Sequence, residues 1–193
     1  MNVAILRYNA GNIRSVVHAL KRLGFKPEVT NDPAALRAAD KVIFPGVGEA
    51  SSAMAYLRDR GLDTLIQSLT QPVLGICLGQ QLLCQYSEEN DTECLGVFPG
   101  RVRLFPPEDK VPHIGWNSIG NLQGPLFDGL TDGVHMYFVH GFYAEKGHLT
   151  TAVTEYIRPF SAAMSYGNFH AVQFHPEKSG DAGAVILNNF LKL

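Results

Sequence analysis

The sequence predicts an α/β fold: a central, mostly parallel sheet flanked by helices, with additional antiparallel strands in the C-terminal half. Three observations point there. The first half alternates short apolar runs with segments of helical periodicity. Those runs are apolar throughout, as strands buried on both faces must be. The second half is a succession of strand-like pieces separated by turn residues and closed by one amphipathic stretch.

Each element follows from local pattern. Residues 2–6, "NVAIL", read as a strand. Ile13, Val16, Val17, Leu20 and Leu23 then recur at helical spacing, with Asn12 as N-cap and Gly24 as the stop. "KPEVT" (26–30) is a weaker strand, and Asp32 followed by Pro33 opens a second helix. "KVIF" (41–44) is a buried strand broken by "PGVGEA". Residues 50–69 read as helix interrupted near Gly61, 72–77 ("PVLGIC") as a buried strand, and 78–87 as helix. Beyond residue 99, "GRVRLF", "VHMYFVHGFYA", "HLTTAVTEY", "FSAAMSYG" and "FHAVQFHPE" are the strand-like pieces, and "DAGAVILNNFLKL" is the terminal helix. In such folds ligands bind beyond the carboxyl ends of the parallel strands. The glycine-containing breaks at 45–48 and 75–79 are therefore expected on one edge.

With 193 residues the chain suits a single domain over 1–193, and no repeat, low-complexity tract or linker divides it. Hydrophobic residues make up 46% and charged residues 18%, the composition of a globular protein. A net charge of -2 gives no pull toward nucleic acid or an anionic membrane. "MNVAILRYN" lacks the features of a signal peptide, and no apolar run nears the roughly 20 residues that span a bilayer. The three cysteines, Cys77, Cys84 and Cys94, are odd in number without paired spacing, which suits a reducing cytoplasm. No C-x₂-C or H-x₃-H pairing occurs, so no zinc or other metal site is expected, and no cofactor is called for.

Chemistry gathers around Cys77. Free cysteine is mostly protonated at neutral pH, so a nucleophilic role requires a base, usually histidine, held by a third group. "GICLG" (75–79) resembles a nucleophile elbow, G-x-S-x-G, with cysteine for serine. The N–H groups at the start of the following helix favour a thiolate and an oxyanion, which makes Leu78 a natural oxyanion donor. "PGVG" (45–48) offers further N–H groups, from Val47 and Gly48. His175 stands in "VQFHPEKSG": a strand delivers it, Pro176 blocks further pairing, and Glu177 lies two residues on. In an extended segment residues i and i+2 face the same way, so Glu177 reaches His175 and fixes its tautomer. Taken singly, Cys77 reads as a small buried hydrophobe, "PGVG" as a turn and His-Pro-Glu as a strand end. Together they favour covalent catalysis. Cys84, seven residues after Cys77 on the same face of the expected helix, reads as core filling.

"PGVG", "GICLGQQLL", "PHIGWN", "YFVHGFY" and "VQFHPEKSG" together resemble the class I, triad-type glutamine amidotransferases, from the "AGN" of residues 10–12 to the terminal helix. The resemblance implies a flavodoxin-like sheet and a Cys77-His175-Glu177 triad that hydrolyses glutamine through a thioester. It also implies an oxyanion hole from Leu78 and the Val47-Gly48 loop. Gln81 and Glu89, with backbone groups of Gly141, Phe142 and Tyr143, would hold the substrate's head group. "PGVG" and "PHIGWN" narrow it to the branch that serves histidine biosynthesis. That branch forms a heterodimer with a HisF-type (β/α)₈ cyclase subunit and passes it ammonia for conversion of PRFAR to imidazole glycerol phosphate and AICAR. On this basis Asn12, His113, Trp116, Tyr137 and Lys178 are expected at the subunit interface. Departures from the family pattern are Arg7 and Asn9 in "LRYNAGN", Gln80 beside Gln81, and Gly141. The competing functions are the glutaminase of another pathway, such as anthranilate or aminodeoxychorismate synthesis, and a non-catalytic scaffold subunit.

Overall fold

The computed structural model describes residues 1–9 and 11–193; Ala10, first residue of the "AGN" stretch, lies outside them. The first half forms β1 (Val3–Leu6), α1 (Ile13–Arg22), β2 (Glu28–Thr30), α2 (Pro33–Ala38), β3 (Lys41–Phe44), α3 (Ala50–Asp59), α4 (Leu62–Gln67), β4 (Val73–Ile76) and α5 (Leu78–Leu83). Then come β5 (Cys84–Ser87), β6 (Thr92–Glu93), β7 (Phe98–Leu104), β8 (His113–Ser118), β9 (His135–His140) and β10 (Phe142–Ala144). β11 (Thr150–Glu155), β12 (Pro159–Tyr166), β13 (Phe169–Val172) and α6 (Gly180–Lys192) complete the chain. Short 3₁₀ turns cover Pro125–Phe127 and Pro176–Lys178. No helix among the described residues is long and apolar enough to cross a membrane.

The main sheet runs β11-β12-β13-β4-β3-β1-β2. Its five parallel strands, read as β2-β1-β3-β4-β13, have the 2-1-3-4-5 order of flavodoxin-like sheets. β12 and β11 extend it antiparallel, as the sequence predicts. β1, β3 and β4 are buried at every position, which explains why they read as unbroken apolar runs. Two apolar clusters cover the faces. One holds Phe44, Leu57, Leu82 and Phe98; the other holds Ile5, Leu20, Phe138, Phe160 and Phe190.

Local signals held at most helix ends. Asp32 Oδ2 accepts from the Ala35 N–H at 3.1 Å, capping α2, and Gly61, at φ 62°, separates α3 from α4. Two expectations change. Asn12 precedes α1 in the left-handed conformation (φ 70°) and its side chain caps nothing; that side chain is used elsewhere. The helix expected over 78–87 ends at Leu83, and residues 84–87 form β5 instead. β5 pairs with β7 and β6, and those long-range hydrogen bonds outweigh a local pattern compatible with either state. Cys84 is thus buried at a strand start rather than on a helix face. The apolar run 134–144 also divides, at Gly141, between a β8-β9 hairpin and a separate sheet containing β10 and β7.

Candidate active site

β3 and β4 end side by side, and the loops that follow them touch. Gly79 is what allows this: a Cβ there would lie 2.0 Å from the Phe44 carbonyl oxygen. Gly75 is similarly enclosed, by Leu83 and the Gly79 backbone. Between them Cys77 adopts φ 53°, ψ -106°, a conformation that L-residues rarely occupy and that marks a strained elbow. Its N–H donates to the Val172 carbonyl (2.8 Å), and its carbonyl accepts from Gln80 (3.0 Å) and Gln81 (3.3 Å) in the first turn of α5. The thiol lies at a cavity of about 300 Å³ lined by Val47, Gly48, Leu78, Gln81, Glu89 and His140 among others.

His175 arrives from β13, the neighbouring strand. The strand ends at Val172, so Gln173 and Phe174 intervene. Pro176 then turns the chain into a 3₁₀ helix, and it is this turn, not an extended segment, that folds Glu177 back onto the ring. His175 Nδ1 and Glu177 Oε1 are 2.8 Å apart, and both side chains are buried. The same oxygen accepts from Asn12 Nδ2 at 2.5 Å. His175 Nε2 and Glu177 Oε2 have no hydrogen-bond partner among the described residues. Burial opposes charge on the His175 ring, but interactions with Cys77 and Glu177 outweigh it and raise the pKa above the usual histidine range. The ring therefore has high proton affinity beside the Cys77 sulfur.

The loop 45–48 lies over the elbow. The Leu78 N–H donates to the Gly46 carbonyl at 3.2 Å, so this amide is engaged. Among the described residues neither the Val47 nor the Gly48 N–H donates a hydrogen bond. Glu89 Oε2 accepts from the Ala50 N–H (2.7 Å) at the start of α3, and burial raises its pKa against that bond. Gln81 Nε2 donates to the Phe142 carbonyl (2.9 Å) and to Gln173 Oε1 (3.0 Å).

Residues 5–193 match the family model "Glutamine amidotransferase class-I". The chain belongs to the class I glutamine amidotransferase family. It is an enzyme of that family, and its relatives there are close. It is 57% identical to the imidazole glycerol phosphate synthase subunit HisH of Bacteroides fragilis over 100% of both chains. Identity to the HisH subunit of Vibrio cholerae is 46%, over 100% of this chain and 98% of that one. Among solved structures, a putative GMP synthase component of Thermoplasma acidophilum superposes with a TM-score of 0.79 at 19% identity, covering 100% of this chain and 92% of that one. Another, described as a glutamine amidotransferase, gives 0.77 at 20% identity over 98% and 97%. These two likenesses concern the fold, which is that of class I amidotransferases.

Against this family background, most expected site residues meet at one place. Cys77, Leu78, Val47, Gly48, Gln81, Glu89, Gly141 and Phe142 line a single cavity, with His175 and Glu177 buried behind the thiol. Tyr143 does not join them: its ring stacks on Phe105, centroids 4.4 Å apart, and its backbone pairs with Arg103 of β7. Of the expected interface residues, Trp116 is 55% exposed, with its ring against Tyr137 (5.9 Å), and Lys178 is exposed with Nζ 6.0 Å from the Tyr137 ring. His113 is buried in the isolated chain: β8-β9 pairing turns it inward, where it stacks on Phe138 and Tyr156 and lies 3.1 Å from His140. Sequence reasoning did not single out Pro112, Val139 and His140, which line the cavity, or Gln173, which touches the sulfur. All four stood within quoted motifs, but only the fold shows which way they face.

Proposed function

We propose that this chain is the glutamine-hydrolysing subunit of an imidazole glycerol phosphate synthase, with Cys77, His175 and Glu177 as its catalytic triad. The observation that carries this reading is the convergence of three separate segments on one cavity: a strained cysteine, a buried histidine beside it, and a carboxylate 2.8 Å from that histidine's far nitrogen. Glu177 holds the proton on Nδ1 and leaves Nε2 as the base. Nε2 takes the Cys77 proton as Sγ attacks the side-chain amide carbon of glutamine, and the carbonyl electron pair moves onto oxygen. The tetrahedral species collapses as His175 returns the proton to nitrogen, releasing ammonia and leaving a glutamyl thioester. Water then gives a proton to Nε2 and its oxygen to the carbonyl carbon. The sulfur leaves and recovers the proton, and glutamate departs.

Both Gln81 Nε2 protons are used within the protein, so Gln81 offers its Oε1 to a ligand. That acceptor, with the Glu89 carboxylate, suits the substrate's ammonium. The oxyanion is assigned to the Leu78 N–H with the Val47-Gly48 loop. Because Leu78 is held by Gly46, the hole forms only when a peptide in residues 45–48 reorients. We assign control of turnover to this step. The partner is a HisF-type (β/α)₈ subunit docked on the face carrying Trp116, Tyr137 and Lys178, with Asn12 beside it. A direct passage to its cyclase site keeps ammonia unprotonated.

The test titrates a HisF-type subunit, with a PRFAR analogue, into the protein while following glutamate. Turnover should rise sharply only with both. Cys77→Ala should release no glutamate yet bind the barrel as tightly as the parent. Activation by a chorismate-binding subunit instead would reassign the pathway, and a fully active Cys77→Ala variant would overturn the triad.

A further inference from the structure

Gln173 is completely buried between β13 and His175, and nothing in the hydrolysis described above uses it. The orientation of its amide follows from a chain of contacts that begins at a backbone carbonyl. The Phe142 oxygen only accepts, so the Gln81 atom 2.9 Å from it is the nitrogen. The second proton on that nitrogen points to Gln173 at 3.0 Å, which makes the Gln173 atom there the oxygen. The remaining amide atom, 3.5 Å from Cys77 Sγ, is therefore Nε2. A donor faces the sulfur whether or not the thiol keeps its proton.

Val139 faces the same atom with the opposite effect. Its carbonyl lies 3.7 Å from Sγ and accepts the S–H of the neutral thiol. When that proton moves to His175 Nε2, the Val139 carbonyl loses its donor and opposes the new negative charge. The Gln173 N–H strengthens at the same moment, because its acceptor has become an anion. The ionisable groups around the pair are Glu177 behind His175, Tyr8 toward Cys77 and His140 toward His175. Gln173 itself does not ionise, so a neutral replacement there removes the donor without altering a charge.

We propose that Gln173 is a further catalytic residue: its Nε2–H holds Cys77 Sγ in place and stabilises the thiolate over the thiol, while its Oε1 ties the sulfur to Gln81 at the substrate end of the cavity. This rests on the reading of Cys77 as nucleophile.

The test follows alkylation of Cys77 by iodoacetamide from about pH 5 to about pH 9, read by peptide mass. Burial pushes the Cys84 thiol far up and the Cys94 thiol up to about 12, so neither competes. Gln173→Met removes the donor at similar size; Gln173→Glu keeps the acceptor for Gln81 and sets a carboxylate against the sulfur. Alkylation at neutral pH should fall about tenfold in Gln173→Met and further in Gln173→Glu, with both pH profiles displaced upward. In Gln173→Glu the loss should appear in kcat more than in KM. The unmutated, ¹⁵N-labelled chain provides a measurement that needs no Gln173 variant: the Gln173 amide signal should move with pH as the thiol titrates, and should not move in Cys77→Ala. Parent-like alkylation profiles in folded variants, or an amide signal indifferent to Cys77, would overturn the assignment. If Cys77→Ala keeps full glutaminase activity, the reading of the nucleophile fails instead, whatever the amide does.

Discussion

His113 and His140 are joined ring to ring, and the Phe142 carbonyl sets the direction of the chain they form. It accepts from His140 Nδ1 at 2.7 Å, which leaves His140 Nε2 to accept from His113 Nδ1 at 3.1 Å. His113 Nε2 then faces the Asn117 amide nitrogen at 3.4 Å. Both rings are neutral in this arrangement, and a proton added to His140 would set two N–H groups against each other. Burial accordingly lowers the His113 pKa to about 4 and that of His140 to about 3. In the unfolded chain both titrate near about 6.5. A depressed folded pKa means stability that is present above the unfolded value and lost as pH falls through the folded one. The unfolding free energy should thus decline by at most about 1.4 kcal/mol per pH unit per ring between about pH 6.5 and about pH 4. His175 has the opposite sign: its pKa is raised, so its contribution stands in that window and fades only on the alkaline side. Urea unfolding at several pH values checks this, and a flat stability between neutrality and pH 5 would contradict the neutral pair.

At the scale of elements, the proposed triad depends on two close approaches. Gly79 lets α5 sit on the end of β3, which sets the elbow, and Gly183 lets α6 sit on the 3₁₀ turn that carries Glu177. A Cβ at Gly183 would lie 1.9 Å from the Pro176 carbonyl oxygen, so the turn or the helix must move. Gly183→Ala should cost about 3 kcal/mol in denaturant unfolding. It should also reduce glutamine turnover under conditions where the protein remains folded, since the displaced turn separates Glu177 from His175. Parent-like stability and turnover would show that the turn is not set by this contact. The sequence displays both glycines, but their neighbours are distant in the chain, and only helix docking reveals why a side chain is excluded.

Across the whole molecule, the exposed β8-β9 face is wired to His175 and Glu177, the proposed catalytic pair, through backbone. His175 donates its N–H to the Tyr137 carbonyl (2.9 Å), and the Tyr137 N–H donates to Ser179 Oγ (3.0 Å). That hydroxyl in turn donates to the His175 carbonyl (2.7 Å). Asn12 adds a second link, from the start of α1 to Glu177. A partner pressed against this face therefore meets strands and loops that hold His175 and Glu177. Trp116 and Ile114 stand out from β8, more than half exposed, and contribute little to the isolated chain. Trp116→Ala should leave its stability within about 0.5 kcal/mol of the parent, and its binding to the proposed HisF-type subunit should weaken about tenfold or more. Calorimetry of the two proteins measures both, and unchanged affinity would move the docking face elsewhere.

The apolar runs of β1, β3 and β4, the Asp32 cap and the glycine-flanked cysteine are local, and the sequence alone determined them, because strand burial and turn geometry are written in neighbouring residues. So was the set of parts, Cys77, "PGVG" and His175 with Glu177, since each needs its own flanking glycine or proline. Tertiary structure decided what depends on distant partners. Residues 84–87 became a strand because β7 pairs with them, and His113 turned inward because Phe138 and Tyr156 cover it. Gln173 acquired a direction from the Phe142 carbonyl, far earlier in the chain. Hydrogen bonds and close contacts between remote segments carry no local signature, and at this site they determine which way each group faces.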